Sequence, residues 1–239
     1  MADRVQPSFL RRLRDSRMIV GMAQLATGGI IGRGLGLVFL PITARIYAPE
    51  DFGVMSVFQS FIVVIGPLMT LSYSNALQLP RTNRMAMNLM AGIIALILVL
   101  AVAMALVLGV FREAIFGYFD MKILADWWPL LVLGLVLAGL YEALSTWIFR
   151  RREYKLIAQT QVLRTLTGNL TKIALGLLSL RPLGLLIGLI IEQSGGIIAL
   201  GRRFQEDLRQ TYHAVSLRRM WTALRHFYQF AIFGIPSQF

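Results

Sequence analysis

The chain has 239 residues, 56% of them hydrophobic and 15% charged, with 24 lysines and arginines against 12 acids for a net charge of +12. Its mean hydropathy of +0.65 lies far from that of a water-soluble domain, and its basic residues form no contiguous or aromatic-interleaved patch of the kind that grips nucleic acid. Cysteine is absent and the two histidines, His213 and His226, share one loop, which removes thiolate and disulfide chemistry and argues against a zinc or iron centre.

In chain order, residues 1–17 form a basic N-terminal segment, with Ser8 placed to cap a short helix and Phe9, Leu10 and Leu13 on one side. It is expected to lie on the inner leaflet as an anchor. The first apolar run is too long for a signal-peptide core and carries no small-residue cleavage pattern, so it reads as an uncleaved span. Six apolar segments follow one another, at 18–42, 54–79, 85–111, 127–149, 156–180 and 183–200, each near the roughly 20 residues that cross hydrocarbon. Pro49, Glu50 and Asp51 suit the start of the second helix, because proline wastes no donor in a first turn and acids meet the positive helix end.

Residues 201–225 read as an amphipathic cytoplasmic linker. Phe204, Leu208, Tyr212 and Val215 share one helical face, and Ser216 can cap a second stretch with Leu217, Met220, Trp221 and Leu224. Residues 226–239 then open a seventh helix that would rise only about 20 Å before the sequence stops. The expected fold is all-α: a polytopic membrane bundle of six transmembrane helices, a lobe over 18–200, plus a truncated seventh. On this reading the chain is the front half of a larger protein and a C-terminal lobe is missing from it.

The arginines set the expected orientation. Seventeen basic residues fall before the first span and in the second, fourth and sixth loops, against four in the odd loops, which places the N-terminus in the cytoplasm of a bacterial inner membrane. The clusters at Arg150, Arg151, Arg152 and Lys155 and at Arg202 through Arg225 are accounted for by topology and by attraction to the anionic bilayer surface.

Ionisable residues inside spans cost several kcal/mol unless they have a partner or a hydrated cavity. There are five: Arg33, Glu142, Arg164, Lys172 and Glu192. Counting along the helices puts Glu142 and Arg164 at one depth, and Lys172 and Glu192 at another, so each acid is expected to pair a cation and orient two helices. Arg33 has no carboxylate at its level. It lies among Gly28, Gly29, Gly32, Gly34 and Gly36, whose every-fourth-residue subset suits close helix packing. The remaining polar positions, Gln161, Thr165 and Asn169 beside Gly168 in span five and Gln59, Ser60, Thr70, Ser72, Ser74 and Asn75 in span two, suggest a hydrated cationic cavity enclosed by spans one, two, four and five, suited to a large anion.

The run Gly32-Arg33-Gly34 through Pro41-Ile42-Thr43-Ala44-Arg45-Ile46-Tyr47-Ala48-Pro49-Glu50-Asp51-Phe52-Gly53 resembles the opening of the Wzx-type polysaccharide and O-antigen flippases, within the multidrug/oligosaccharidyl-lipid/polysaccharide exporter superfamily. Ser74-Asn75-Ala76-Leu77-Gln78-Leu79-Pro80, the basic run from Trp147 to Lys155, and Tyr228 to Ser237 resemble later landmarks of that family in the same order. The resemblance implies two six-helix bundles that carry undecaprenyl-pyrophosphate-linked oligosaccharide between leaflets by alternating access, without catalysis or cofactor. It implies lipopolysaccharide or other surface polysaccharide biosynthesis, with Arg33, Arg164 and Lys172 as substrate-binding cations. The partners so implied are a lipid-linked oligosaccharide and the bilayer. Competing readings are a multidrug exporter of the same superfamily, which would favour carboxylates, and an inert fragment or membrane interaction module. A membrane-embedded transferase would need acids or histidines clustered at one interface, and the sequence has none.

Overall fold

A computed structural model describes residues 7–118 and 122–234. Every regular element among them is helical: α1 (Pro7–Ile46), α2 (Pro49–Thr70), α3 (Tyr73–Ala76), α4 (Asn83–Tyr118), α5 (Trp128–Arg150), α6 (Tyr154–Leu177), α7 (Leu183–Ser194), α8 (Ile197–Thr211), α9 (Leu217–His226) and α10 (Tyr228–Gly234). Five stretches are long and apolar enough to cross a membrane: Ile19–Ile46, Pro49–Thr70, Asn83–Tyr118, Trp128–Arg150 and Leu183–Thr211. The chain is therefore a multi-pass membrane protein. Six spans were expected; α6 is long enough at 24 residues, about 36 Å of helix, but its polar stripe keeps it out of this apolar set.

The centre of the bundle is built from α2, α4, α5 and α7. Phe58, Ile62 and Met69 interlock there with Ile93 and Ile97, with Leu131 and Leu135, and with Leu186 and Leu189, all nearly inaccessible. On the outside, α4 exposes Leu98, Val99, Val102, Leu106 and Val110. A water-soluble protein would bury so long an apolar stripe, whereas hydrocarbon accepts it.

Helices α1 and α6 stand to one side, with α1 resting on α6 and α6 on α7. The glycines of α1 explain the first seam. A Cβ at Gly28 would come 2.8 Å from the Ala158 backbone, one at Gly32 3.3 Å from Thr165 Oγ1, and one at Gly36 4.0 Å from Thr165 Cγ2. Close packing thus holds at Gly28, loosens around Gly36 beside the segment that carries Arg33, and tightens again at Gly176, where a Cβ would come 2.5 Å from Ile46.

Several local expectations are corrected. Helix α1 is continuous from Pro7, so residues 7–17 belong to the same helix as the first span, Ile19–Ile46. The expected Ser8 cap and the Phe9, Leu10, Leu13 face lie outside the described side chains, as residues 1–6 lie outside the described residues altogether. The second helix begins at Pro49 as anticipated, with Asp51 accepting a hydrogen bond from the Ala48 N–H at 3.0 Å. It ends at Thr70 and not near Leu79: Leu71 and Ser72 adopt φ of 45° and 56°, the left-handed region that costs a non-glycine residue about 1–3 kcal/mol.

The expected sixth span is also divided. Helix α7 stops at Ser194, Gly195 and Gly196 intervene, and α8 runs on to Thr211. Gly196 has φ 95°, where a side chain is strained, and a Cβ there would also strike Thr160. The amphipathic segment after this break is packed rather than merely laid on a surface. Trp147 of α5 meets the Phe204 ring edge-on at 5.3 Å, and Leu224 of α9 sits in the gap left by Gly92 of α4. Ser216 stands at the start of α9, yet its side chain makes no capping bond; its backbone N–H donates instead to Asn88 Oδ1 at 3.1 Å. The seventh helix is described only as far as Gly234, and the remainder of that expectation, 235–239, lies outside the described residues.

Candidate functional site

The membrane charges are sorted by the helices that carry them. Lys172 of α6 and Glu192 of α7 face each other because the two helices pack at Gly168 and Gly188, where a Cβ would strike Glu192 and Lys172 respectively. The Lys172 Nζ lies 2.7 Å from Glu192 Oε2, and the lysine is 8% exposed. Tyr47, at the end of α1, donates its hydroxyl to the Lys172 carbonyl at 2.6 Å. Burial pushes that phenol above its ordinary pKa, with the Asp51 carboxylate adding to the effect, so it remains a donor at neutral pH. The lysine head and backbone are both committed to the protein itself.

Arg164 does not meet Glu142, contrary to the expectation from matched depth. It lies on the α7 side of α6, where its Nε donates to the Glu192 carbonyl at 2.6 Å and its Nη2 to Gln193 Oε1 at 2.9 Å. Its guanidinium also stacks 4.2 Å from the centre of the Tyr141 ring, a cation–π contact. The physical reason is angular: depth along two helices fixes height but not azimuth, and the preceding residue, Tyr141, faces α6.

Glu142 turns the other way. It accepts hydrogen bonds from Ser74 of α3 and, at 3.4 Å, from Thr70 at the end of α2. Thr70 and Ser74 also lie 3.3 Å apart, so the left-handed pair Leu71 and Ser72 folds the chain back to present two hydroxyls to one carboxylate. Among the described residues no cation lies within ion-pair distance of Glu142. Reasoning from the sequence noted Thr70 and Ser74 as polar but assigned Glu142 elsewhere; the signal available was their spacing of four beside a proline-bearing helix end.

Arg33 differs from both other cations. It is exposed on α1, and among the described residues it makes no hydrogen bond or ion pair. A Cβ at the neighbouring Gly34 would meet nothing within 4 Å. One turn away, Gln161 Oε1 of α6 is buried against Gly29 without a hydrogen-bond partner, an acceptor left over at the seam. The described residues include no group of three or more His, Asp or Glu that could hold a metal ion. The arrangement leaves one open guanidinium beside a polar seam, with the other two cations internally satisfied.

The sequence profile described as "polysaccharide biosynthesis protein" matches residues 42–230, well over half of the chain. This chain belongs to that family. No curated protein and no solved structure gives a match. The matched stretch covers the ends of the chain's own architecture from the last turns of α1 to α10, so it includes Glu142, Arg164, Lys172 and Glu192 and begins nine residues after Arg33. In this polysaccharide biosynthesis protein the carboxylate at the α2 break and the open arginine of α1 are accordingly separate features on separate faces: α1 rests on α6, whereas α2 and α3 rest on α5.

Proposed function

We propose that this membrane protein translocates an undecaprenyl-pyrophosphate-linked oligosaccharide from the inner to the outer leaflet of the bacterial inner membrane during surface polysaccharide synthesis. It acts by binding and rocking, without enzymatic chemistry, with six crossings and the N-terminus in the cytoplasm. The observation that carries this reading is Arg33, an exposed guanidinium with no acidic partner in an apolar helix. A pyrophosphate crossing a low-dielectric region needs compensating positive charge, and guanidinium binds phosphate oxygens bidentately. Arg164 and Lys172, also candidates for substrate binding, are held by their contacts with α7. Membership of a polysaccharide biosynthesis family supports the substrate class.

Deleting the gene in its host tests the reading. Lipid-linked oligosaccharide should accumulate on the cytoplasmic leaflet while surface polysaccharide is lost, and re-expression should reverse both. Loss of polymer without accumulated lipid-linked precursor would place the protein at another step.

A cation exporter of the wider superfamily is the second reading, and Glu142 favours it, since a carboxylate with two hydroxyl neighbours suits a cation. Drug sensitivity of the deletion strain with unaltered polysaccharide would select this alternative.

A further inference from the structure

At one end of the bundle, the turn between α5 and α6 and the start of α4 line an open pocket of about 560 Å³, within the size range of small-molecule sites. Its wall carries Arg150, Arg151 and Arg152, with the amides of Gln78 and Asn83 opposite. Topology requires basic residues near this membrane boundary but does not require them to line a cavity.

The turn is tightly specified. Arg152 takes φ 60°, while its N–H donates to the Phe149 carbonyl at 2.9 Å and the Glu153 N–H to Ile148 at 3.3 Å. Three consecutive arginines are thereby kept from spiralling away around a helix. The Arg150 Nη1 is anchored 3.3 Å from the Leu77 carbonyl, which ties the α3 end to the α5 end and fixes the width of the pocket. Arg151 is neutralised by Asp207 at 3.1 Å. Neither Arg150 nor Arg152 has an acidic partner among the described residues, and Glu153 next to them is taken by Arg203 at 2.7 Å.

The floor is apolar. Phe149 and Tyr154 pack edge to face at 5.2 Å, with Phe149 37% exposed where α5 leaves the apolar part of the bundle. Two uncompensated guanidinia, amide donors and an aromatic ledge beside the hydrocarbon boundary match an amphiphile with an anionic head. We infer that this pocket is a binding site for the phosphate headgroup of a membrane lipid, held by Arg150 and Arg152 with its chain running over Phe149. A free phosphate would use the arginines but gain nothing from the ledge. The site stands independently of glycan translocation, because it requires only a lipid phosphate.

The test uses the whole chain purified in micelles, with a fluorescent short-chain phosphatidic acid as probe and phosphatidylcholine and sodium pyrophosphate as comparison ligands. Arg150→Gln/Arg152→Gln should weaken phosphatidic acid binding about tenfold or more. Asn83→Trp, which fills the pocket without removing charge, should weaken it similarly. Arg202→Gln/Arg209→Gln, an equal loss of charge at exposed positions outside the pocket, should change it less than about twofold. Equal losses in the two arginine pairs would reduce the effect to bulk charge and overturn the site, as would undiminished binding to Asn83→Trp. Pyrophosphate binding as tightly as the lipid would overturn the lipid assignment. If the double variant fails to fold, Arg152→Gln alone, at an exposed position, and Asn83→Trp decide the matter by the same comparison.

Discussion

The indole N–H of Trp147 on α5 donates to Asp207 Oδ2 on α8 at 2.9 Å, and this one carboxylate also receives Arg151 on its other oxygen. Asp207 is 6% exposed. It therefore fastens the amphipathic segment to the end of the bundle through two different donors. Asp207→Ala leaves a buried indole N–H unsatisfied and should cost about 1–3 kcal/mol. In detergent this should appear as a lowered unfolding midpoint and faster proteolysis between α8 and α9; an unaltered midpoint and digestion pattern would show that α8 is held by its apolar face alone.

Lys172 and Glu192 should behave as a coupled unit. Removing either partner leaves a charge in a slot shaped by Gly168 and Gly188, at a cost of about 3–5 kcal/mol. The double substitution Lys172→Met/Glu192→Leu should cost less than the sum of the single ones, and unfolding titrations of the four proteins supply the cycle. Additive losses would contradict the pairing.

The opposite result is expected for Glu142 and Arg164, which contact different elements. Glu142→Gln and Arg164→Gln should combine additively within about 0.5 kcal/mol, whereas Glu142→Gln and Ser74→Ala should not. The measurement is again denaturation of the purified variants, and strong coupling of Glu142 to Arg164 would contradict the observed geometry.

Arg33→Ala should abolish surface polysaccharide while protein abundance stays normal, because among the described residues the side chain makes no hydrogen bond or ion pair. Arg33→Lys should retain partial function, keeping the charge but losing the bidentate grip. Gel analysis of polymer together with immunodetection of the protein separates the outcomes: normal polymer with Arg33→Ala removes the substrate role, and disappearance of the protein assigns the residue to folding.

Orientation can be read with single cysteines, since the chain has none of its own. An impermeant thiol reagent applied to intact cells should label a cysteine at Arg181 and spare one at Arg152. The reverse pattern would invert the topology proposed from the arginine distribution. Asp120, in a second loop expected to face outward, lies outside the described residues.

Much of the helical architecture was legible because apolar length, proline at Pro49 and basic clusters act locally. The ion pair between Lys172 and Glu192 was legible for a different reason: a short turn between two helices fixes their relative height, and glycines at Gly168 and Gly188 let them approach. The same arithmetic failed for Glu142 and Arg164 because height says nothing about which way a side chain points around its helix. The break at Leu71 and Ser72 was hidden, since neither residue type advertises a left-handed backbone. The pocket at Arg150 and Arg152 was hidden as well; its basic run announced a membrane boundary, but the Leu77 carbonyl and the Asn83 wall come from distant sequence.

That break divides the second membrane segment mechanically. Helix α2 is embedded in the core through Phe58 and Ile62, whereas the four residues of α3 lean on α4, α5 and α10. Ser74, which holds Glu142, thus belongs to the piece that packs on α10, and Thr70, its other hydroxyl neighbour, belongs to α2. The carboxylate spans a joint. Glu142 therefore links two separate helical pieces, accepting from Thr70 of the one and Ser74 of the other.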